Sequence, residues 1–281
     1  ESLHTYFSYL LYKGQAYQHT PMMHGPFQFH LLALTYYLFD VSDFTARIPA
    51  VLFSIATVWM AWYWRRYLGR AGALIAGFLL VISPYMLYYG RYVRNESFAG
   101  FSGIAMLYVI LRYLETGGKK YIYLLSATLV LHFTTKETSF IYAAQALLFL
   151  GFYFIARVTR KSWESETGKY RGFIVSLVVA VVLLTSALVF GLANRGLETI
   201  SATETAAPAN PLDGISPLAA SDGGISIPAI LIGVAVLAIL VAAYFLITGY
   251  SWERIRAERS FDLLIVIGTL VLPNLVAFLI K

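Results

Sequence analysis

Residues 227–250 read IPAILIGVAVLAILVAAYFLITGY, 24 residues without a charge. Coiled into an α-helix at about 1.5 Å per residue, the segment is about 36 Å long, enough to cross a hydrocarbon core about 30 Å thick. Periodicity offers no polar face that water could wet, so the stretch reads as a membrane span. Working outward, further apolar windows fall at about 44–64, 71–89, 98–114, 121–133, 139–156, 173–193 and 261–280. With the first, they predict an all-α, polytopic membrane helical bundle of eight spans.

Composition points the same way. Hydrophobic residues make up 59% of the chain and charged residues 13%, against roughly 45 to 50% and about 25% in soluble domains. The net charge of +6 raises the question of nucleic acid. The basic residues, however, come in short bursts between apolar spans and form no solvated stripe, which excludes a nucleic-acid partner. With no cysteine, a disulfide, an iron–sulfur cluster and a thiolate zinc site are excluded. Glu1 opens an aromatic-rich segment with no basic n-region, apolar h-region or cleavage motif, so no signal peptide is expected and the chain reads as part of a longer protein.

Charge orients the bundle. Alternate connections carry Arg65, Arg66 and Arg70; Arg112, Lys119 and Lys120; Arg157, Arg160, Lys161, Lys169 and Arg171; and Arg254, Arg256 and Arg259, which is 14 of the 21 basic residues. Lys and Arg flanking spans are retained on the cytoplasmic side. The N-terminal segment, the 90–96 and 134–138 connections and the 194–226 loop are therefore expected on the external face. This orientation needs 26–39 to be too short to span, and at about 14 residues it suits an interfacial helix. Residues 3–14 place Leu3, Phe7, Leu10 and Leu11 on one helical face and form a second interfacial helix. The expected organisation is a membrane module over 1–193, a flexible external loop rich in Ala, Pro, Ser and Gly over 194–226, and further transmembrane helices over 227–281.

Four groups on the external side carry potential chemistry, since ionisable side chains at membrane depth are costly without a function or a partner. In ESLH, Glu1 suits a general base or ion ligand beside His4, or else a solvated pair at a helix start. In HTPMMHGPFQFH, the spacing of His19, His24 and His30 matches no compact zinc set; a polar turn closed by Gly25 and Pro26 explains the stretch more simply, with His24 able to face a cavity. In SPYMLYYGRYVRNESF, Arg91 and Arg94 lie within a helical turn, where they could hold a phosphate beside Glu96 or form an aromatic belt with snorkelling arginines. In TTKETSF, Lys136 and Glu137 either pair with each other or send Lys136 into the arginines' cavity to meet an anion.

These four segments, in order and spacing, resemble the multi-spanning C-type (GT-C-like) glycosyltransferases. That superfamily includes the dolichyl-phosphate-mannose protein mannosyltransferases and the lipid A aminoarabinose transferases. The chain looks closest to a prokaryotic branch of flippase-activity-associated membrane proteins. ESLH is similar to the second half of the family's Asp-Glu motif, whose Asp, the catalytic base, would stand just before Glu1. HGPFQFH resembles the His-Pro start of the second interfacial helix, SPYMLYYGRYVRNES the Ser-Pro, aromatic, Arg and acidic segment, and TTKE the lysine-bearing turn.

The resemblance implies an integral protein of a prokaryotic cell membrane that passes a sugar from a polyprenyl-phosphate donor to a hydroxyl acceptor at the external face. Glu1 and Glu96 would support the base or order a divalent cation. Arg91, Arg94 and Lys136 would hold the departing lipid phosphate, with Glu137 beside them, and His4 and His24 would line the sugar pocket. Membrane lipid, a lipid-linked sugar and protein subunits of a larger complex are the implied partners. A non-catalytic scaffold and a lipid-linked-saccharide transporter are the alternatives.

Overall fold

The computed structural model describes residues 2–15, 24–163, 167–204 and 227–280. Among them there are twelve helices and no strand. In chain order these are α1 (Ser2–Tyr12), α2 (Phe27–Phe39), α3 (Asp43–Tyr63), α4 (Arg65–Ile82), α5 (Pro84–Tyr89), α6 (Glu96–Thr116), α7 (Lys119–Phe133), α8 (Ser139–Arg160), α9 (Thr167–Glu204), α10 (Ile227–Tyr250), α11 (Trp252–Arg256) and α12 (Arg259–Ile280). By length and composition α3, α6, α8, α10 and residues 167–191 of α9 can cross a membrane.

The expected span over 71–89 is two helices. Ser83 leaves the helical region with ψ 122° and its side chain accepts from the Met86 amide, while Pro84 opens α5. Proline disfavours a helical conformation in the residue before it and suits a first helical position, so the apolar run breaks there. The helix over 26–39 has the expected short length: α2 has 13 residues, about 20 Å.

The chain forms two compact units, Glu1–Arg157 with Glu258–Lys281, and Val158–Ala257. The first unit is built around α6, α7, α8 and α12, which bury Met106, Ile110, Tyr113, Leu125, Leu129, Leu150, Leu263 and Ile267 in one cluster. A smaller cluster of Leu32, Tyr36, Ala46 and Val93 joins α2, α3 and the 90–95 connection. Large apolar side chains such as Leu52, Ile55, Trp59, Phe78 and Phe152 face outward, as lipid-facing surfaces do.

Helix α6 carries charge at both ends. Its 21 residues measure about 31 Å, so Glu96 and Glu115 stand roughly a hydrocarbon thickness apart. At the far end Glu115 accepts from Arg66 Nε at 2.8 Å and Arg112 at 2.7 Å. Arg259 donates to the Leu114 and Glu115 carbonyls, and Gly117, at φ 68°, turns the chain into α7. Neutralised arginines at helix ends satisfy carbonyls that the helix leaves open.

In the second unit α9 packs on α10, with Ala180, Ala187, Ala235 and Ala242 buried. Small residues let apolar helices approach closely when lipid supplies no hydrophobic drive. Trp163 closes one end of this unit, donating to the Val158 carbonyl at 3.1 Å and packing on Tyr170, Phe173 and Tyr250. Of the 194–226 loop, residues 205–226 lie outside the described residues.

Candidate active site

The 134–138 turn between α7 and α8 gathers the candidate residues. Its backbone carbonyls grip the entry to α2: the Gly25 amide donates to Thr135 O at 3.1 Å and the Phe27 amide to Thr134 O at 3.0 Å. A side chain at Gly25 would run into the Thr134 carbonyl, so glycine here permits the close approach. His24 sits in the left-handed region at φ 42°, a conformation that costs a non-glycine residue about 1 to 2 kcal/mol. Its Nδ1 is 2.7 Å from Glu137 Oε2, and because an ionised carboxylate only accepts, Nδ1 is the donor.

The adjacent lysine points elsewhere. Lys136 Nζ donates to Glu96 Oε1 at 3.0 Å, and Arg94 Nε lies 3.5 Å from Glu96 Oε2. Lys136 and Glu137 thus do not pair with each other; one turn sends a cation to the start of α6 and a carboxylate to the approach to α2. The Glu96 side chain is only 11% exposed, and a carboxylate buried that far is rare without cations beside it.

Two buried amides, one in α2 and one just before Glu96, have unfilled hydrogen-bonding capacity. Gln28 and Asn95 are 0% and 1% exposed, yet neither amide has a partner, and Glu96 Oε2 also lacks a hydrogen bond. Buried polar atoms are ordinarily satisfied, so these amides retain capacity for further hydrogen bonds. Asn95 occupies the N-cap position of α6 without capping it, which leaves its amide for another use.

His4 is 8% exposed and stacks flat on Phe29 with ring centroids 5.6 Å apart. Both its nitrogens lack partners. Burial holds the imidazole neutral, with its pKa lowered to about 4; nearby Arg94 and His24 push the same way and Glu96 opposes them. Between about 4 and 6.5 the unfolded chain binds a proton that the folded chain refuses, so this contribution is complete above 6.5 and is lost as pH falls towards 4. The melting temperature of the purified protein should therefore fall from pH 7 to 4.5, and His4→Gln should flatten that slope. An unchanged slope in the variant would remove His4 from its buried seat.

Not every expected residue joins the cluster. Arg91 instead lines an apolar cavity of about 460 Å³ with Val51, Val58, Trp59 and Leu80, and it forms no ion pair among the described residues. His30 Nδ1 donates to the Pro26 carbonyl at 2.9 Å within its own helix. Glu1 and His19 lie outside the described residues. Among the described residues no three His, Asp or Glu side chains gather as a metal set. Chemically, the cluster can hold an anion between Arg94 and Lys136 and receive a hydroxyl on Glu96 Oε2.

The profile of the dolichyl-phosphate-mannose-protein mannosyltransferase family matches residues 23–185, more than half of the chain. The chain belongs to that family. As a member of the dolichyl-phosphate-mannose-protein mannosyltransferase family it is an integral membrane protein of glycosyltransferase-like type. The match takes in His24, Arg91, Arg94, Glu96, Lys136 and Glu137 and begins after Glu1 and His4. Comparison with curated proteins and with solved structures gave no match.

Proposed function

We propose that the chain transfers a sugar from a polyprenyl-phosphate donor to a hydroxyl acceptor on the external membrane face. The observation that carries this reading is the Arg94–Glu96–Lys136 cluster, with a carboxylate oxygen left open at the head of a membrane-crossing helix. In the reaction the acceptor hydroxyl gives its proton to a carboxylate base while its oxygen bonds to the anomeric carbon. The bond from that carbon to the phosphate oxygen breaks, and polyprenyl phosphate leaves with the electron pair. Arg94 and Lys136 stabilise the phosphate as its charge develops, which is the most effective place for fixed cations. Glu96 sets the positions of both cations and orients the acceptor hydroxyl through Oε2, while Glu1 supports the base, which the family resemblance makes an Asp beside it.

Support comes from the family name, which specifies a lipid-phosphate sugar donor, and from the apolar cavity at Arg91, which suits an isoprenoid tail. The external placement rests on the distribution of basic residues. A non-catalytic scaffold is the second reading, because the same ion pairs also tie α2, α6 and α7 together.

The test uses full-length protein in nanodiscs and a panel of polyprenyl-phosphate hexoses, measuring donor binding and release of polyprenyl phosphate. Arg94→Gln should weaken donor binding about tenfold or more, the scale of one charged hydrogen bond. Absence of turnover and binding across the panel, with Arg94→Gln no different from wild type, leaves the scaffold.

A further inference from the structure

A further cavity, of about 440 Å³, is lined by Ser2, Thr5, Asp43, Ala46, Arg47 and Tyr92. Its walls differ in kind from those of the Arg91 cavity. They present a carboxylate, a guanidinium, two aliphatic hydroxyls and a phenol, brought from α1, the start of α3 and the 90–95 connection. Its Ala46 is 2% exposed and belongs to the small buried cluster with Leu32, Tyr36 and Val93.

Short stretches of chain link this cavity to the ion cluster. Ser2 and Thr5 flank His4, which is electrostatically coupled to Arg94 and Glu96. Tyr92 is two residues before Arg94, whose amide donates to the Tyr92 carbonyl at 2.8 Å. The 90–95 connection thus distributes consecutive functions: Arg91 to the apolar cavity, Tyr92 to the polar one, Val93 to the core and Arg94 to Glu96.

We infer that the Ser2–Thr5–Asp43–Arg47–Tyr92 cavity binds the sugar ring of the lipid-linked donor. The inference rests on the reading under Proposed function and adds the location and chemistry of the sugar subsite. A pyranose presents hydroxyls that both donate and accept. Asp43 accepts from them, Arg47 donates, the Ser2 hydroxyl does either, Thr5 Oγ1, which donates to the Ser2 carbonyl, accepts, and the tyrosine offers a ring face. Asp43 disfavours a phosphate here, and the cavity volume lies within the roughly 300 to 1,000 Å³ typical of small-molecule sites. Asp43 follows the Ser42 cap, whose capping box with Thr45 fixes the start of α3 without it, so its side chain can change while the helix start stays fixed.

The test measures binding of two ligands to full-length protein in nanodiscs: bare polyprenyl phosphate, and methyl glycosides of mannose, glucose, galactose and N-acetylglucosamine. The variants are Asp43→Asn and Tyr92→Phe; the second retains the ring stacked on Tyr88. At least one glycoside should bind wild type, and Asp43→Asn should weaken it about tenfold, as loss of a charged hydrogen-bond acceptor does. Tyr92→Phe should weaken it to a smaller extent, with polyprenyl phosphate unaffected by either change. If no glycoside binds, or if both variants bind the glycoside as wild type does, the subsite is overturned. It is also overturned if polyprenyl phosphate weakens in step with the glycoside. Glycoside binding that depends on Asp43, with no affinity for polyprenyl phosphate, would keep the subsite and reject the transferase reading.

Discussion

Lys136→Met should abolish high-affinity donor binding and lower stability together. Glu96 loses the one cation that hydrogen-bonds it among the described residues while 11% exposed, and stranding a largely buried carboxylate costs about 2 to 3 kcal/mol. The double variant Lys136→Met with Glu96→Gln separates two roles of the pair. Neutral partners of similar size should recover most of the melting temperature, since removing both charges is far milder than removing one. Donor binding should recover only in part, because Arg94 is then left to face the phosphate without a second cation. Full recovery of both in the double variant would reduce Lys136 to a structural tie.

Gly25→Ala should be among the most damaging single substitutions in the first unit, at about 3 kcal/mol, the upper range for overpacking against backbone. The added methyl meets the Thr134 carbonyl and carbon and the Thr135 amide, none of which can swing aside like a flexible side chain. Relief requires α2 to move off the 134–138 turn, which breaks two backbone hydrogen bonds and pulls His24 from Glu137. Gly100→Ala is the control: that glycine is helical with nothing within 4 Å of an added carbon, so a gain of about 0.5 to 1 kcal/mol in helix propensity is expected. Thermal melts of both variants in one detergent decide the matter, and equal melting temperatures would show that the α2 staple carries no load.

Much of this architecture is legible in the residues alone. Apolar runs such as 227–250 and 98–114 locate helices because lipid demands length and uniform apolarity, and both properties are countable. The helical break inside 71–89 is countable too, since Ser83–Pro84 carries the signal, but apolarity on both sides hides it. Chemistry was legible as residue type: Arg94, Glu96 and Lys136 are costly where they stand, and the structure brings them together. Partner choice was not legible. Nothing in TTKE reveals that Lys136 and Glu137 diverge to different helices, because that depends on how α2 and α6 dock on the turn. Arg91 and Arg94 likewise look equivalent in sequence, yet one lines an apolar cavity and the other meets Glu96. Gln28 and Asn95 left no mark, since a lone amide beside apolar residues reads as ordinary surface until its burial is known. The polar cavity draws on three separated segments, and only folding brings Ser2, Asp43 and Tyr92 to one wall.

Helix α7 has 15 residues, about 22 Å, whereas α6 beside it is about 31 Å long. Lys136 lies in the turn three residues past the end of α7 and donates to Glu96 at the start of α6, so in a bilayer that turn is expected to sit below the headgroup plane. On the transferase reading proposed above, hydrophobic mismatch would bear on catalysis: a bilayer thinned over α7 would let a donor's phosphate meet Arg94 and Lys136 without being lifted to the headgroup plane. Turnover should consequently respond to acyl-chain length, falling in thick bilayers where lipid no longer thins easily over the depression.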